Sequence, residues 1–236
     1  MLKQIKNTWI YMTKEFLQIL GVTVTTGLAT IVLVFIIVAC ITSKDERTYA
    51  MFGAMFAFMM FLFTSIFVGI LQCQSEFDMM ISMGRTRKEF FISYAVVNLI
   101  NTGIVLAVIV GLAYLEQGVA AVFYKGYTCE IDFAWLVLNA KVLLGAWLLV
   151  PAVRLFGGAL CIIFKMKVFW VLWAAMMLFG VWLRMTPSGT GKSEFIALAG
   201  KIKRMGNIWQ IIIMAVIAAV LFAASYFLLR KRRVGN

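Results

Sequence analysis

GVTVTTGLATIVLVFIIVACI, Gly21 to Ile41, decides the fold class. No charge falls in it, and the uncharged window extends from Phe16 to Ser43. A helix needs about 20 apolar residues to cross the hydrocarbon of a bilayer, so this stretch reads as a transmembrane helix. Its apolar residues run continuously. The strands of a membrane barrel would show short alternating segments instead. The rest of the chain agrees. Of 236 residues, 64% are hydrophobic and 14% charged, against about 45–50% and about 25% in soluble domains.

The same search marks five further spans. They lie near Ala50 to Leu71, within Phe90 to Leu115, at Val142 to Phe164, at Val168 to Leu183, and within Gly206 to Leu229. The expectation is an all-α polytopic membrane protein forming one transmembrane domain over 1–236, with six spans.

Ahead of the first span, residues 1–20 place Leu2, Ile5, Trp9, Met12, Phe16 and Leu20 on one helical face. Lys3, Lys6 and Lys14 lie mostly elsewhere. This pattern predicts an interfacial helix on the headgroups. The first apolar run is too long for the apolar core of a cleaved signal peptide.

Basic residues beside the spans set orientation. A cytoplasmic N-terminus puts twelve Lys and Arg inside and eight outside, with the compact clusters RTRK and RKRR both inside. Both termini are therefore expected in the cytoplasm. The net charge of +12 reads as a topology signal. The basic residues are split into short juxtamembrane groups, which argues against nucleic-acid binding.

Several chemistries are excluded. The chain has no histidine, which removes His-based catalysis and His metal ligands. Cys40, Cys73, Cys129 and Cys161 stand apart with no CxxC, so neither a metal site nor a redox pair is expected. No Asp or Glu falls within the expected spans. That absence counts against intramembrane aspartyl chemistry and against ion-coupled carriers, which commonly relay through such carboxylates.

GTGKS, Gly189 to Ser193, has the letters of a P-loop ending, but the position that should hold its first glycine is Thr186. An apolar span delivers it where a strand should. It reads as a turn leading into a short outer helix, the two making up the outer loop and helix of 185–207, with Phe195, Leu198, Ala199 and Ile202 on one face. The other long outer segment, Glu116 to Asp132, carries Phe123, Tyr124 and Tyr127, suited to an interfacial aromatic belt.

Two features suggest function. Arg154 lies inside the fourth span, three residues after Pro151. An intramembrane charge is a functional candidate, here for a substrate path with an anionic or lipid-like cargo. Its alternative roles are snorkelling or bonding to carbonyls freed by Pro151. Ala215, Ala219 and Ala223 repeat every fourth residue in the last span, and Gly157, Gly158 and Ala159 cluster in the fourth. Such small residues serve close packing within one chain, or a pore or dimer seam.

The second feature is QCQSEFDMMISMGRTRKEFF, Gln72 to Phe91, where a short apolar pattern ends at Gly84 and a basic run enters the third span. Here the chain resembles the permease subunits of bacterial type-2 ABC exporters, particularly the small six-span permeases of Gram-positive bacteria. The resemblance covers the layout as well as SMGRTRKEFF. It implies a bacterial plasma-membrane location. It implies a coupling helix of Glu76, Phe77, Asp78, Met79, Met80, Ile81, Ser82 and Met83 that docks on a separate ATPase subunit. Arg85, Thr86, Arg87 and Lys88 would form the elbow into the third span. It further implies two ATPase copies holding ATP and Mg, a second permease copy or homologue, and no cofactor or catalysis in this chain. Export of an amphipathic peptide, lipid or drug follows as the expected function. The alternatives are a substrate-capture subunit of a vitamin importer or an ion-coupled secondary transporter.

Overall fold

The computed structural model describes residues 2–41, 48–84, 86–123, 128–132, 137–164 and 207–231, with isolated positions between 167 and 174. The expected fifth span at 168–183 and the outer segment at 185–206, GTGKS included, lie outside the described residues, those isolated positions apart. Arg85 lies outside them too.

Within the described residues the chain is a helical, membrane-embedded protein. α1 spans Leu2–Ile41, α2 Gly53–Ser82, α3 Arg87–Phe123, α4 Ala140–Phe164 and α5 Asn207–Lys231. All five are long and apolar enough to cross a membrane. Helices close their backbone hydrogen bonds internally, as a lipid environment demands. Hydroxyls obey the same rule. Thr23, Thr30, Thr64 and Ser225 each donate to the carbonyl four residues earlier in their own helix, so they need no partner in lipid.

α1 packs on α2 and α3, α4 packs on α2 and α5, and α3 meets α4. Large apolar side chains cover the outside, for example Val32, Leu33 and Ile36 of α1 and Val216, Ile217 and Val220 of α5. In water such a surface would be costly. In a bilayer it faces chains as apolar as itself.

Three boundaries differ from the sequence expectation. First, residues 2–20 run into the first span as one continuous helix of 40 residues. The stripe turned inward is Thr8, Met12, Glu15, Ile19 and Thr23, whereas Trp9, Phe16 and Leu20 are half-buried. Second, α2 starts at Gly53 rather than near Ala50, because Thr48–Met51 form a strand, β1. It pairs in parallel with β2, Thr128–Asp132, with a register slip between Tyr49 and Ala50. β-branched and aromatic residues in TYAM and TCEID suit that pairing. Third, α3 continues through Phe123, so Glu116 is helical rather than the start of a loop.

α4 and α2 approach closely because α4 carries glycines at the contact. A Cβ on Gly157 would lie 2.5 Å from Ile70 Cδ1, and one on Gly158 would lie 2.5 Å from Cys73 Sγ. Gly157 and Gly158 thus serve packing within one chain. Ala215, Ala219 and Ala223 remain exposed.

Candidate functional site

Among the described residues two apolar clusters lie inside the bundle. One holds Ile19, Phe58, Phe61, Val105, Ile109 and Val150. The other, at the end where α2 turns into α3, holds Met12, Phe77, Met80, Phe90, Tyr94 and Leu155. Between them lies a polar layer. On α1, Glu15 falls between Met12 and Ile19. On α2, Ser65 falls between Phe61 and Cys73. On α3, Asn98, Asn101 and Thr102 fall between Val97 and Val105. On α4, Arg154 falls between Val150 and Leu155. All of these polar residues are buried. The common level follows from helix spacing: each polar residue sits one turn or less from an apolar neighbour on its own inward face.

Arg154 is the centre of the layer. Its Nη2 is ion-paired with Glu15 Oε1, and both side chains are 4% exposed. The same Nη2 donates to the Tyr94 hydroxyl at 3.1 Å. Tyr94 also lies within hydrogen-bonding reach of Glu76, which is close enough to feel both Glu15 and Arg154. Gly69 makes room for the guanidinium, since any Cβ there would collide with the Arg154 side chain. The cluster therefore joins α1, α2, α3 and α4. A cavity of about 10 Å³ adjoins it, lined by Glu15, Ser65, Asn101, Thr102, Arg154 and apolar neighbours. That is room for about one water molecule. Among the described residues no group of three metal-ligating side chains converges.

The elbow between α2 and α3 is the second element of the site. Gly84 stops α2 as its sequence predicts: φ is +78°, and its N–H donates to the Ile81 carbonyl at 2.9 Å. Open space surrounds it, so backbone conformation and not crowding calls for glycine. Thr86 and Glu89 then form a capping box. The Thr86 N–H donates to Glu89 Oε2 at 3.0 Å, and the Glu89 N–H donates to Thr86 Oγ1 at 3.2 Å. The T-x-x-E spacing in TRKE is the sequence signal for it. Arg87 Nη1 donates to the carbonyls of Leu229 and Arg230, at 3.4 and 3.0 Å. It thereby fastens the C-terminal end of α5, where a cation also meets the negative end of the helix dipole.

The residues expected to couple to an ATPase separate into two sets. Asp78, Ser82, Met83 and Lys88 are exposed, and Met79, Ile81 and Arg87 are half-buried. Glu76, Phe77 and Met80 are buried. Phe77 packs edge-on against Phe90 at 5.1 Å, and Phe90 stacks on Tyr94 at 5.1 Å. The segment 76–82 is the last part of α2 rather than a detached helix. Its Phe77, Met80 and Ile81 pack in the bundle's own core.

Glu15, Tyr94 and the polar residues of α3 carry no site signal in the sequence. The amphipathic pattern places Glu15 on an interfacial helix, and the uncharged windows leave Glu76 in a loop. In the structure their carboxylates lie buried in helices long enough to span a membrane, beyond the stretches 21–41 and 50–71 expected to cross it.

No family model, curated protein or solved structure matches the chain.

Proposed function

We propose that this chain is the membrane subunit of an ATP-driven transporter of the ABC exporter type. The fifth expected span would complete six helices, with both termini on the cytoplasmic side of a bacterial plasma membrane. A separate ATPase, in two copies, docks against the α2–α3 elbow and carries ATP and Mg. A second copy or homologue of this chain completes the pathway, and an amphipathic cargo is exported. This chain performs no chemistry itself.

One observation carries the reading. The elbow has an exposed tip, Asp78, Ser82, Met83 and Lys88, while its inner side runs through Phe77, Phe90 and Tyr94 to the buried Arg154. A push on the tip reaches the centre of the bundle through packed rings, which do not compress. The capping box and the Arg87 clamp make the elbow stiff enough to transmit that push.

Purification of the full chain from its native membrane should bring down an ATPase bearing nucleotide-binding motifs. Lys88→Glu together with Asp78→Lys should release it without unfolding the chain. Transport by the purified chain alone, driven by an ion gradient, would overturn the reading. That result would favour the ion-coupled carrier, for which the buried Glu15 and Glu76 are the specific support.

A further inference from the structure

The polar layer has an imbalance of charge. Glu15 and Glu76 bring two carboxylates to one guanidinium, Arg154. With all three ionised, the cluster carries one net negative charge out of water. An uncompensated buried charge is strongly unfavourable.

The hydrogen bonds are unbalanced in the same direction. Glu15 Oε2, Glu76 Oε2, Asn98 Oδ1 and Asn101 Oδ1 are buried acceptors without a hydrogen-bonding donor among the described residues, against one buried donor without an acceptor, Arg154 Nε. A carboxylate accepts only, whereas a protonated carboxyl also donates. One added proton removes the first deficit and reduces the second. It cancels the net charge, and it turns one orphaned oxygen into a donor.

The groups around the pair allow this and oppose a metal ion. α1 contributes Glu15. α2 contributes Glu76 and Cys73, both within electrostatic range of Arg154. α3 contributes Tyr94, and α4 contributes Arg154. From α5, Leu229 and Phe222 pack in the apolar cluster next to the layer. The adjoining cavity has oxygen ligands in Glu15, Ser65, Asn101 and Thr102, but the guanidinium of Arg154 lines it as well and repels a cation. At about 10 Å³ it has the size of one water, not of a hydrated ion.

We propose that Glu15 and Glu76 share one exchangeable proton, held against Arg154 in the centre of the bundle. A water in the cavity, which Glu15 lines, carries the proton to and from that carboxyl. Release of the proton to a base in solvent leaves the cluster negatively charged and favours a conformation that admits water. Uptake favours the closed bundle. The site thus couples opening to protonation, whichever source of energy drives the cycle.

Infrared titration of the full chain in lipid nanodiscs tests this directly. The expected wild-type spectrum contains the carbonyl stretch of an un-ionised carboxyl at neutral pH, shifted in D2O and lost at alkaline pH. Charge balance requires that removing either carboxylate releases the proton, so both Glu15→Gln and Glu76→Gln should lose the band. Glu116→Gln should keep it. The wild-type titration needs no variant, so it remains decisive if a substitution impairs folding. A spectrum without the band at neutral pH overturns the proposal. So does a band that survives in either of the two variants, or one that disappears when sodium replaces a bulky organic cation at fixed pH.

Discussion

Glu116 of α3 closes the start of α2. Its two carboxylate oxygens accept the backbone N–H groups of Gly53 at 2.7 Å and Ala54 at 3.0 Å. The residue preceding that helix is Phe52, which offers no side-chain cap, so the cap comes from another helix. A helix N-terminus leaves its first N–H groups unpaired and carries partial positive charge, which suits a carboxylate. Glu116→Ala should cost about 2 kcal/mol, the scale of a hydrogen bond to a charged group. Glu116→Gln keeps one acceptor and should cost less. Thermal unfolding in detergent, followed by circular dichroism, ranks the three proteins; a Glu116→Gln protein as stable as the wild type would contradict a charge-assisted cap.

The ion pair between Glu15 and Arg154 predicts strong non-additivity. Arg154→Met leaves the buried Glu15 and Glu76 carboxyl groups without a counter-charge and should destabilise by about 3–5 kcal/mol. Glu15→Gln leaves Glu76 to take over Arg154 and should cost less. Combining Arg154→Met with Glu15→Gln removes one of the stranded acidic groups, so the double variant should be more stable than the sum of its parts predicts. Strict additivity in the same unfolding assay would show that the two side chains do not interact.

The spans themselves are legible in the sequence because lipid imposes a simple rule: about 20 uncharged residues and little else. The fourth and sixth expected spans agree with α4 and α5 within a few residues at each end. Gly84 is legible too, since a left-handed stop favours glycine. Rotation of the helices is not. The 3–4 spacing of apolar residues in 1–20 fits several neighbouring stripes. The one chosen by packing includes Thr8 and Glu15, because Arg154 offers Glu15 a partner from a helix more than a hundred residues away. A buried carboxylate is invisible until its counter-charge is placed. The same holds for Phe77 and Met80. Their pattern marks a helix with an apolar side, but only the position of Phe90 and Tyr94 tells that this side is covered by the chain itself. Glu116 reads as a loop residue because nothing local marks a cap that serves a helix 62 residues earlier.

Small residues in α4 and α5 should respond oppositely. Gly158→Leu places a side chain where even its Cβ would lie 2.5 Å from Cys73, and overpacking of this kind costs about 1–3 kcal/mol. Ala219→Leu adds bulk to an exposed face and should leave the chain's own unfolding temperature unchanged. A loss of stability on Ala219→Leu equal to that on Gly158→Leu would mean that the α5 face is packed as tightly as the α2–α4 contact.

The elbow makes the final prediction, because its stiffness depends on three separable devices. Thr86→Ala and Glu89→Ala each break the reciprocal cap, at about 1 kcal/mol for loss of an N-cap side chain. Each side chain caps the other residue's backbone N–H, which an alanine retains, so the double variant should cost about the sum of the two single changes. Gly84→Ala acts independently, by forcing a Cβ into the left-handed region, at about 1–2 kcal/mol, and its effect should add to that of the cap. Arg87→Met releases the carbonyls of Leu229 and Arg230 and should loosen the end of α5 without altering α3. Amide hydrogen exchange resolves these outcomes by location. Cap variants should speed exchange in the first turn of α3. Gly84→Ala should do so in the last turn of α2, and Arg87→Met near residue 229. Uniform acceleration throughout the bundle in all of them would mean that the elbow has no local rigidity to transmit.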